Sequence, residues 1–386
     1  MNIGIDIRPL MSPLRTGVAE YTFELINALV NIDLTNQYYL FYNSYQDITA
    51  DIPQWQKSNV HYIAYHWPNK IFNMAMRYCY YPKIDNIISK SIAEKKLDIF
   101  FSTNLNFLSL TKKTKFILTV HDLSFNLFPE FYPLKWQIKN RVIQPKKQCQ
   151  RANIILTPSD NTKRDLIDIY KIDSQKITTI YPGIKKNNKP TPTEQQIIRN
   201  KYQLPQNFIL FLGTTEPRKN IIDLIAAFEK ASPLLPATYY LVIAGAPGWK
   251  NKKIFKRIKE SSCHKYIKIL GYIDHQDKSA LYAISDLFVY PSFYEGFGFP
   301  VFEAMTAGTP VITTNRSSLP EITAGAAYLI NPNKPSELAT AIIEILNNKI
   351  LKNRLIESGY VQADKFCWET TAQKFLEVLN RLNNNQ

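Results

Sequence analysis

Short runs of apolar residues alternate along the chain with longer segments in which apolar positions recur at a helical period. The apolar runs, bounded by turn residues, predict buried β-strands, and the amphipathic segments predict helices. In the first half, strands are predicted at Asn2–Ile7, Gln37–Tyr42, Ile99–Ser102, Lys115–Val120, Ala152–Pro158 and Lys176–Tyr181, with helices at Val18–Val30 and Asp160–Tyr170. This alternation is typical of a parallel sheet covered by helices.

A polar, proline-containing stretch, Lys185–Pro192, interrupts the pattern and predicts a linker without a strand or helix of its own. The alternation then resumes with a helix at Ile221–Lys230 and strands at Phe208–Gly213, Tyr239–Ala244, Lys268–Tyr272, Leu287–Pro291, Pro310–Thr314 and Ala327–Ile330. We therefore expect doubly wound α/β domains at residues 1–184 and 194–366, a linker at 185–193, and a last helix within 367–386 that packs at the domain junction. Ligands of such folds bind at the carboxyl ends of the strands, here in a cleft between the domains.

The composition of the chain excludes several classes of protein. The chain has 386 residues, of which 45% are hydrophobic, which is enough for packed cores and excludes general disorder. No apolar run approaches the roughly 18 to 20 residues that span a bilayer. The start, MNIGIDIRPL, lacks the basic leader and apolar stretch of a secretory signal. The four cysteines are far apart and form no CxxC pair, so a cytoplasmic location is expected.

The net charge of +15 is concentrated in residues 51–200, which carry 24 Lys and Arg against 11 Asp and Glu. Within that part, residues 69–97 combine basic and aromatic side chains, and residues 133–153 have six basic residues and no acidic one. This combination favours contact with an anionic membrane surface. The alternative interpretation is a solvated basic face. Nucleic acid is not expected as a partner, because no nucleic-acid-binding module accompanies the charge.

The strongest motif is EGFGFPVFE, from Glu295 to Glu303, which follows a predicted strand. Its glycines let the backbone come close to a ligand, and Pro300 fits the first position of a helix. The start of that helix would present backbone N–H groups to an anion, and Glu303 would stand in its first turn, where the helix dipole favours a carboxylate. The alternative is a loop in which the glycines are needed only for the backbone conformation of its turns and bind no ligand.

Three further motifs follow predicted strands. In GTTEPRKN, the fork of Arg218 and the point charge of Lys219 suit a diphosphate, and the alternative is a solvent-exposed basic helix start. Gly17 lies in Arg15-Thr16-Gly17, before the first helix, and by itself is most simply a turn glycine. His121 lies at the carboxyl end of the strand Lys115–Val120, where a lone histidine is more often structural.

Together these motifs resemble the retaining GT-B glycosyltransferases of family 4, and the resemblance extends over nearly the whole chain. It implies two Rossmann-like domains, the first for the acceptor and the second for a nucleotide-sugar. In that family the residue matching Glu295 contacts the donor sugar and the one matching Glu303 binds the ribose hydroxyls. The backbone of Gly296, Phe297 and Gly298 would surround the sugar and the distal phosphate.

The resemblance assigns further roles. Arg218 and Lys219 would hold the diphosphate, Gly17 would face the donor phosphates, and His121 would line the active site. Tyr272 and Ile273 match a segment that touches the nucleobase through backbone atoms, although a strand end explains them equally well, and Leu281 on the next helix would pack against the base. The chain has no D-x-D pair and its histidines are scattered, so no metal and no cofactor is expected besides a GDP- or UDP-linked sugar.

The expected activity is the retaining transfer of a hexose to a glycan or a lipid-diphosphate-linked acceptor, in the synthesis of a cell-surface polysaccharide. The form EPRKN resembles that of mannosyltransferases that use GDP-mannose. Alternatives are a transferase that uses a UDP-sugar, a nucleotide-sugar epimerase, and a non-catalytic membrane- or nucleic-acid-binding protein on the same fold.

Overall fold

The computed structural model describes residues 1–12, 16–93, 96–185 and 190–384. Arg15 of the glycine turn, Lys95 of the basic segment and residues 186–189 of the predicted linker lie outside the described residues. The chain divides into two compact units. Unit 1 consists of residues 1–123, 135–183 and 367–386, and unit 2 consists of residues 124–134 and 184–366.

Each unit contains one parallel β-sheet. The sheet of unit 1 has seven strands in the order β3-β2-β1-β4-β5-β6-β7, and that of unit 2 has six in the order β10-β9-β8-β11-β12-β13. The strands are β1 Asn2–Asp6, β2 Gln37–Asn43, β3 Val60–Tyr65, β4 Ile99–Ser102, β5 Lys115–Thr119, β6 Ile154–Thr157, β7 Ile177–Thr179, β8 Phe208–Leu212, β9 Tyr240–Ala244, β10 Ile267–Gly271, β11 Leu287–Tyr290, β12 Val311–Thr314 and β13 Tyr328–Ile330.

The structure also describes helices between the strands and at the end of the chain. They are α1 Gly17–Ile32, α2 Asn69–Met74, α3 Ile84–Ser89, α4 Ser124–Leu127, α5 Leu134–Ile143, α6 Pro145–Arg151, α7 Asp160–Tyr170, α8 Pro192–Lys201, α9 Ile221–Ala231, α10 Lys252–Lys259, α11 Lys278–Ala283, α12 Phe299–Thr306, α13 Leu319–Thr323, α14 Pro335–Asn347, α15 Lys349–Ala363 and α16 Trp368–Asn384. A π-helical turn, Ala75–Cys79, continues α2.

The central strands of both sheets are buried on both faces, as continuous apolar runs require. In unit 2, every residue of β8 and β11 is buried. The strands predicted from the sequence are present, with ends that differ by about two residues at most. The predicted α/β class with two Rossmann-like units is confirmed.

One strand was not predicted, and two local expectations were wrong. The strand β3 was not predicted, because its sequence VHYIAY carries a polar histidine within a short, half-buried pattern. Helix α8 begins inside the predicted linker, at Pro192, because Thr191 and Glu194 form a capping box there. Pro300 is the second rather than the first residue of α12, and Glu303 is the fifth, so this carboxylate is outside the first turn.

Two segments belong to a different unit from the one that their position in the sequence suggests. Residues 124–134 belong to unit 2, although they lie within the first half of the chain. Within unit 2, the ring of Phe131 stacks on Phe293 at 5.4 Å, and Tyr132 stacks on Trp249 at 5.5 Å. The last helix, α16, belongs to unit 1, where Phe375 contacts Phe101.

Candidate functional site

The loop after β8 places two basic side chains in the interior of unit 2. It forms a 3₁₀ turn, Pro217–Lys219, which ends at Asn220 in the left-handed conformation. Lys219 is only 6% exposed, and the Arg218 side chain is 13% exposed. The interpretation of these residues as a solvent-exposed basic helix start is therefore wrong.

The loop after β11 brings Glu295 to the same place. Gly298, at φ +119°, is the N-cap residue directly before α12, and a Cβ atom there would come within 3.0 Å of Ile322 and Leu319. The Ser318 hydroxyl donates to the carbonyl oxygens of Glu295 and Phe297, at 3.0 and 2.8 Å. These contacts fix the backbone between Glu295 and the start of the helix.

Two carboxylates and two cations form a connected buried cluster in unit 2. Lys219 Nζ lies 2.6 Å from Glu295 Oε1 and 2.5 Å from the hydroxyl of Tyr290. Arg218 is 3.0 Å from the other oxygen of Glu295 and 2.6 Å from Glu216. The formal charges of the four ionised groups cancel, which makes their burial tolerable.

The electrostatics of this cluster keep Glu295 ionised. Burial alone would raise the pKa of the Glu295 carboxyl, but the charges of Arg218 and Lys219 outweigh it and lower the pKa to about 2. Burial and the charge of Arg218 lower the pKa of Lys219, while Glu295 acts in the opposite direction. Burial and the nearby carboxylates raise the pKa of Tyr290, so its hydroxyl remains protonated.

Glu303 lies in a more open environment than Glu295. Its Oε2 accepts a hydrogen bond from the hydroxyl of Tyr282 at 2.9 Å, and its Oε1 is 3.9 Å from Lys278. The Glu303 side chain is 24% exposed. A carboxylate held at one oxygen and partly open at the other has capacity to accept hydrogen bonds from a ligand.

The segment predicted to touch the base lies at the end of β10. Gly271 is the last residue of that strand and has φ +73°, Tyr272 is exposed, and Ile273 is buried. Leu281 is fully buried in α11, which leaves its side chain no surface for a base. Gly296 and Phe297 are buried, and the Phe297 ring packs against Phe302 and Phe366.

In unit 1, His121 follows the carboxyl end of β5. Its Nε2 lies 2.9 Å from the carbonyl oxygen of Thr103, and since a carbonyl only accepts, Nε2 is the donor. The ring of Tyr21 contacts the imidazole edge-on, with 4.8 Å between the ring centroids. Burial lowers the pKa of His121, against the opposing effects of the Thr103 carbonyl and Asp122. The imidazole is therefore neutral at pH 7, with Nδ1 as an acceptor.

A charged pair that the sequence analysis missed lies at the end of β1. Arg8 forms a two-pronged ion pair with the fully buried Asp6, at 2.8 and 2.6 Å, and also donates to the carbonyl of Phe107. The sequence signal for this pair is the occurrence of two charged residues, Asp6 and Arg8, at the end of the first apolar run, IDIR. Gly17 is the first residue of α1, whose cap is Thr16, and it is exposed.

Of the residues predicted for the site, the structure brings Arg218, Lys219 and Glu295 into direct contact. Partners that the sequence analysis did not identify are Glu216, Tyr290, Ser317 and Ser318. Within the described ranges, no group of three or more His, Cys, Asp or Glu side chains is placed to hold a metal ion.

The two basic segments form helices of modest length. Residues 69–97 include α2, the π-helical turn and α3, and residues 133–153 include α5 and α6. Large apolar side chains are exposed on both, among them Ile71, Met74, Tyr78, Tyr80, Tyr81, Leu134, Trp136 and Ile138. None of the helices that the structure describes has the length and apolar character needed to cross a bilayer.

Comparisons with known proteins identify the family of the chain. Residues 15–187 match the family model Glycosyltransferase Family 4, and residues 194–362 match Glycosyl transferases group 1. The chain is 32% identical over 272 residues to O-antigen chain mannosyltransferase B of Escherichia coli, an alignment that covers 69% of this chain and 70% of that protein.

Solved structures with the same fold share little sequence with the chain. Sucrose-phosphate synthase from Thermosynechococcus elongatus aligns over 100% of both chains with a TM-score of 0.75 at 19% identity. HepE from Anabaena, in complex with UDP-glucose, aligns over 99% of this chain and 100% of its own, with a TM-score of 0.72 at 19% identity. The fold is that of the GT-B glycosyltransferases. The chain belongs to glycosyltransferase family 4, as its motifs predicted.

Proposed function

We propose that the protein transfers mannose from GDP-mannose, with retention of configuration and without a metal ion, to a glycan or lipid-linked acceptor in cell-surface polysaccharide synthesis. The choice of mannose is supported by the 32% identity to an O-antigen chain mannosyltransferase and by the EPRKN form of the basic motif.

The observation that carries the proposal is the contact of Arg218 and Lys219 with Glu295 in the interior of unit 2. As the glycosidic bond breaks, negative charge grows on the leaving diphosphate. Cations already held in place by carboxylates stabilise that charge without reorganising, and they do so more in the transition state than in the ground state. Two fixed cations can supply the charge that a divalent ion supplies in other transferases.

The remaining groups are assigned to positioning. Glu295 holds the two cations and accepts hydrogen bonds from hydroxyls of the donor sugar, Glu303 accepts them from the ribose, and the backbone of residues 296–298 surrounds the sugar and the distal phosphate. Gly17 faces the donor phosphates, and the backbone at Tyr272 and Ile273 contacts the base. His121, being neutral, offers Nδ1 as an acceptor to a substrate hydroxyl.

A UDP-sugar is the second candidate donor. HepE, which shares the fold at 19% identity, was solved in complex with UDP-glucose. GDP and UDP differ in the base and share the diphosphate. The cluster of Arg218 and Lys219 suits both equally, so the donor has to be identified by measuring which nucleotide binds.

The deciding experiment measures the shift of the thermal unfolding midpoint with GDP, UDP, ADP, TDP and CMP, with Mg²⁺ and with EDTA. A ligand at about 100 times its Kd adds roughly 2.7 kcal/mol to the free energy of unfolding. We expect GDP to give the largest shift, unchanged by EDTA. A larger shift with UDP would select the UDP-sugar, and no shift with any of them would contradict a donor site.

Transfer is then measured with GDP-mannose and mannosylated acceptor oligosaccharides, and the anomeric configuration of the product is determined by NMR. An α-linked product from the α-linked donor supports retention. Conversion of the donor to a different nucleotide-sugar without an acceptor would indicate an epimerase instead. Unchanged biological activity of Glu295→Ala would favour a non-catalytic binding protein.

A further inference from the structure

Unit 1 contains a cavity of about 340 Å³ that the donor chemistry does not use. Its wall comes from the turn around residues 76–83, the segment 107–116 and the residues 143–151. The apolar part of this wall consists of Met76, Phe107, Leu108, Leu110, Phe116 and Ile143.

The charged part of the wall has a single sign. Its ionisable side chains, apart from the phenol of Tyr80, are Arg77, Lys83, Lys112, Lys147 and Arg151. In the part of the chain that the structure describes, none of these five cations has a carboxylate within 4.0 Å. A cavity that gathers cations without counter-charges attracts an anion.

The two arginines of the wall show how this charge is held. The Nε atom of Arg77 is buried and has no hydrogen-bond partner among the described residues, while its guanidinium lies 5.2 Å from the Tyr78 ring. The guanidinium of Arg151 lies 5.5 Å from the Phe116 ring and donates to the carbonyl of Thr111. A buried donor without a partner is costly unless a ligand supplies an acceptor.

Asp85 is the acidic residue near this wall, and it is occupied elsewhere. Its carboxylate accepts hydrogen bonds from the backbone N–H of Thr111 and from the hydroxyls of Thr111 and Thr114. It raises the pKa of Arg151, while burial, the larger effect, lowers it. Asp85 does not line the cavity, and its oxygens accept from Thr111 and Thr114, so an anion in the cavity would not face this carboxylate.

The surroundings of the cavity are apolar and exposed. Tyr80, which lines it, is 60% exposed, and Ile71, Met74, Tyr78 and Tyr81 on the same segment are also exposed. Exposed apolar side chains grouped beside a charged pocket are typical of a site for an amphiphile.

We propose that this cavity binds the phosphate or diphosphate head of an amphiphile, with the hydrocarbon chain lying over the exposed residues of segment 71–81. The anion is recognised by the five cations and completes the hydrogen bonding of Arg77. As a description of the acceptor, this inference rests on the proposed function, whereas the binding itself can be tested without any transfer.

The test is isothermal titration of the full chain with farnesyl diphosphate, with farnesol and with inorganic pyrophosphate. We expect farnesyl diphosphate to bind at least tenfold more tightly than either of the others. The double variant Lys112→Gln/Lys147→Gln should weaken its binding roughly tenfold, because two charged contacts are lost. Both lysines are exposed, so the variant should fold. The exposed pair Lys256→Gln/Lys259→Gln in unit 2 is the matched control and should change nothing.

The donor cluster could also take a diphosphate, so Lys219→Met separates the two sites. We expect this variant to lose the stabilisation by GDP and to keep its affinity for farnesyl diphosphate. Equal binding of pyrophosphate and farnesyl diphosphate would overturn the proposal, because the hydrocarbon part of the ligand would then contribute nothing to the affinity. Loss of binding in Lys219→Met with retention in the cavity variant would also overturn it. Failure of every nucleotide to bind would contradict the proposed function alone.

Discussion

At the scale of single residues, the cluster around Glu295 combines two demands that conflict. A diphosphate needs cations that face it, whereas a folded interior tolerates cations only beside carboxylates. Glu295 meets both demands. It supplies a carboxylate to both buried cations, at 2.6 Å from Lys219 and 3.0 Å from Arg218, and both cations stay charged. Loss of Glu295 would leave the two cations with Glu216 as their counter-charge in the cluster, and a buried charge without a partner is destabilising.

Glu295 should make the stability of the protein depend on acid pH. The pKa of its carboxyl is about 2 in the folded protein and near 4.5 without the fold. Between these values the unfolded chain binds more protons, so the stabilisation is complete above pH 4.5 and is lost as the pH falls through about 2. The expected loss is roughly 3 kcal/mol. Urea unfolding at pH 2 to 6 measures it, and Glu295→Gln should show a shallower dependence. An equal dependence in both proteins would contradict the assignment.

Lys219 should matter for turnover as well as for binding of the donor diphosphate. Lys219→Met keeps most of the side-chain volume and removes the charge, and Glu295 still has Arg218 as its partner. We expect kcat to fall by about 10² to 10³, the usual effect of removing one transition-state donor. Lys230→Met, at an exposed position of α9, is the control and should keep full activity. A change in KM without a change in kcat would show that Lys219 only binds the substrate.

At the scale of elements, the turn that begins α12 depends on a backbone conformation that only glycine adopts easily. Gly298→Ala should cost about 1 to 3 kcal/mol of stability, because φ is +119° and the new Cβ meets Ile322 and Leu319. Gly325→Ala is the matched control, since φ is +86° there but nothing lies within 4 Å. Both variants should lose stability in thermal unfolding, but only Gly298→Ala should weaken the shift given by GDP. Equal nucleotide shifts in both would contradict a role for this turn in donor binding.

The elements themselves were largely predictable, because β8 to β13 are apolar runs between turn residues, a local signal. The burial of Lys219 was not predictable, since its partner Glu295 is 76 residues away and the sequence shows a charge without showing its counter-charge. The same reason explains why Tyr290 and Ser318 were missed. Only the family resemblance, which ties distant motifs to one ligand, joined Arg218, Lys219 and Glu295 before the structure did.

At the scale of the whole molecule, the assignment of residues 124–134 to unit 2 means that the chain leaves unit 1 directly after Leu123 and returns at Lys135. Trp249 Nε1 donates to the carbonyl of Phe131 at 2.8 Å, and the ring of Phe128 lies 5.9 Å from Tyr294, next to Glu295. The segment therefore covers aromatic surface of unit 2 next to the loop that carries the donor-site carboxylate.

A fragment of residues 184–366 should accordingly be incomplete. Without residues 124–134, the faces of Trp249, Phe293 and Tyr294 that the segment covers lose their partners, so the fragment should bind a hydrophobic dye and unfold at a lower temperature. A synthetic peptide of residues 124–134 at about 100 times its Kd should restore roughly 2.7 kcal/mol, and a peptide of the same composition in scrambled order should not. The Trp249→Ala fragment should respond less to the peptide, because it lacks both the stacking partner of Tyr132 and the donor to Phe131. If the fragment is as stable as unit 2 in the full chain and ignores the peptide, the segment does not stabilise unit 2. If instead the peptide restores both stability and GDP binding, then this short piece of the first half of the sequence is part of the structure that holds Glu295 in place.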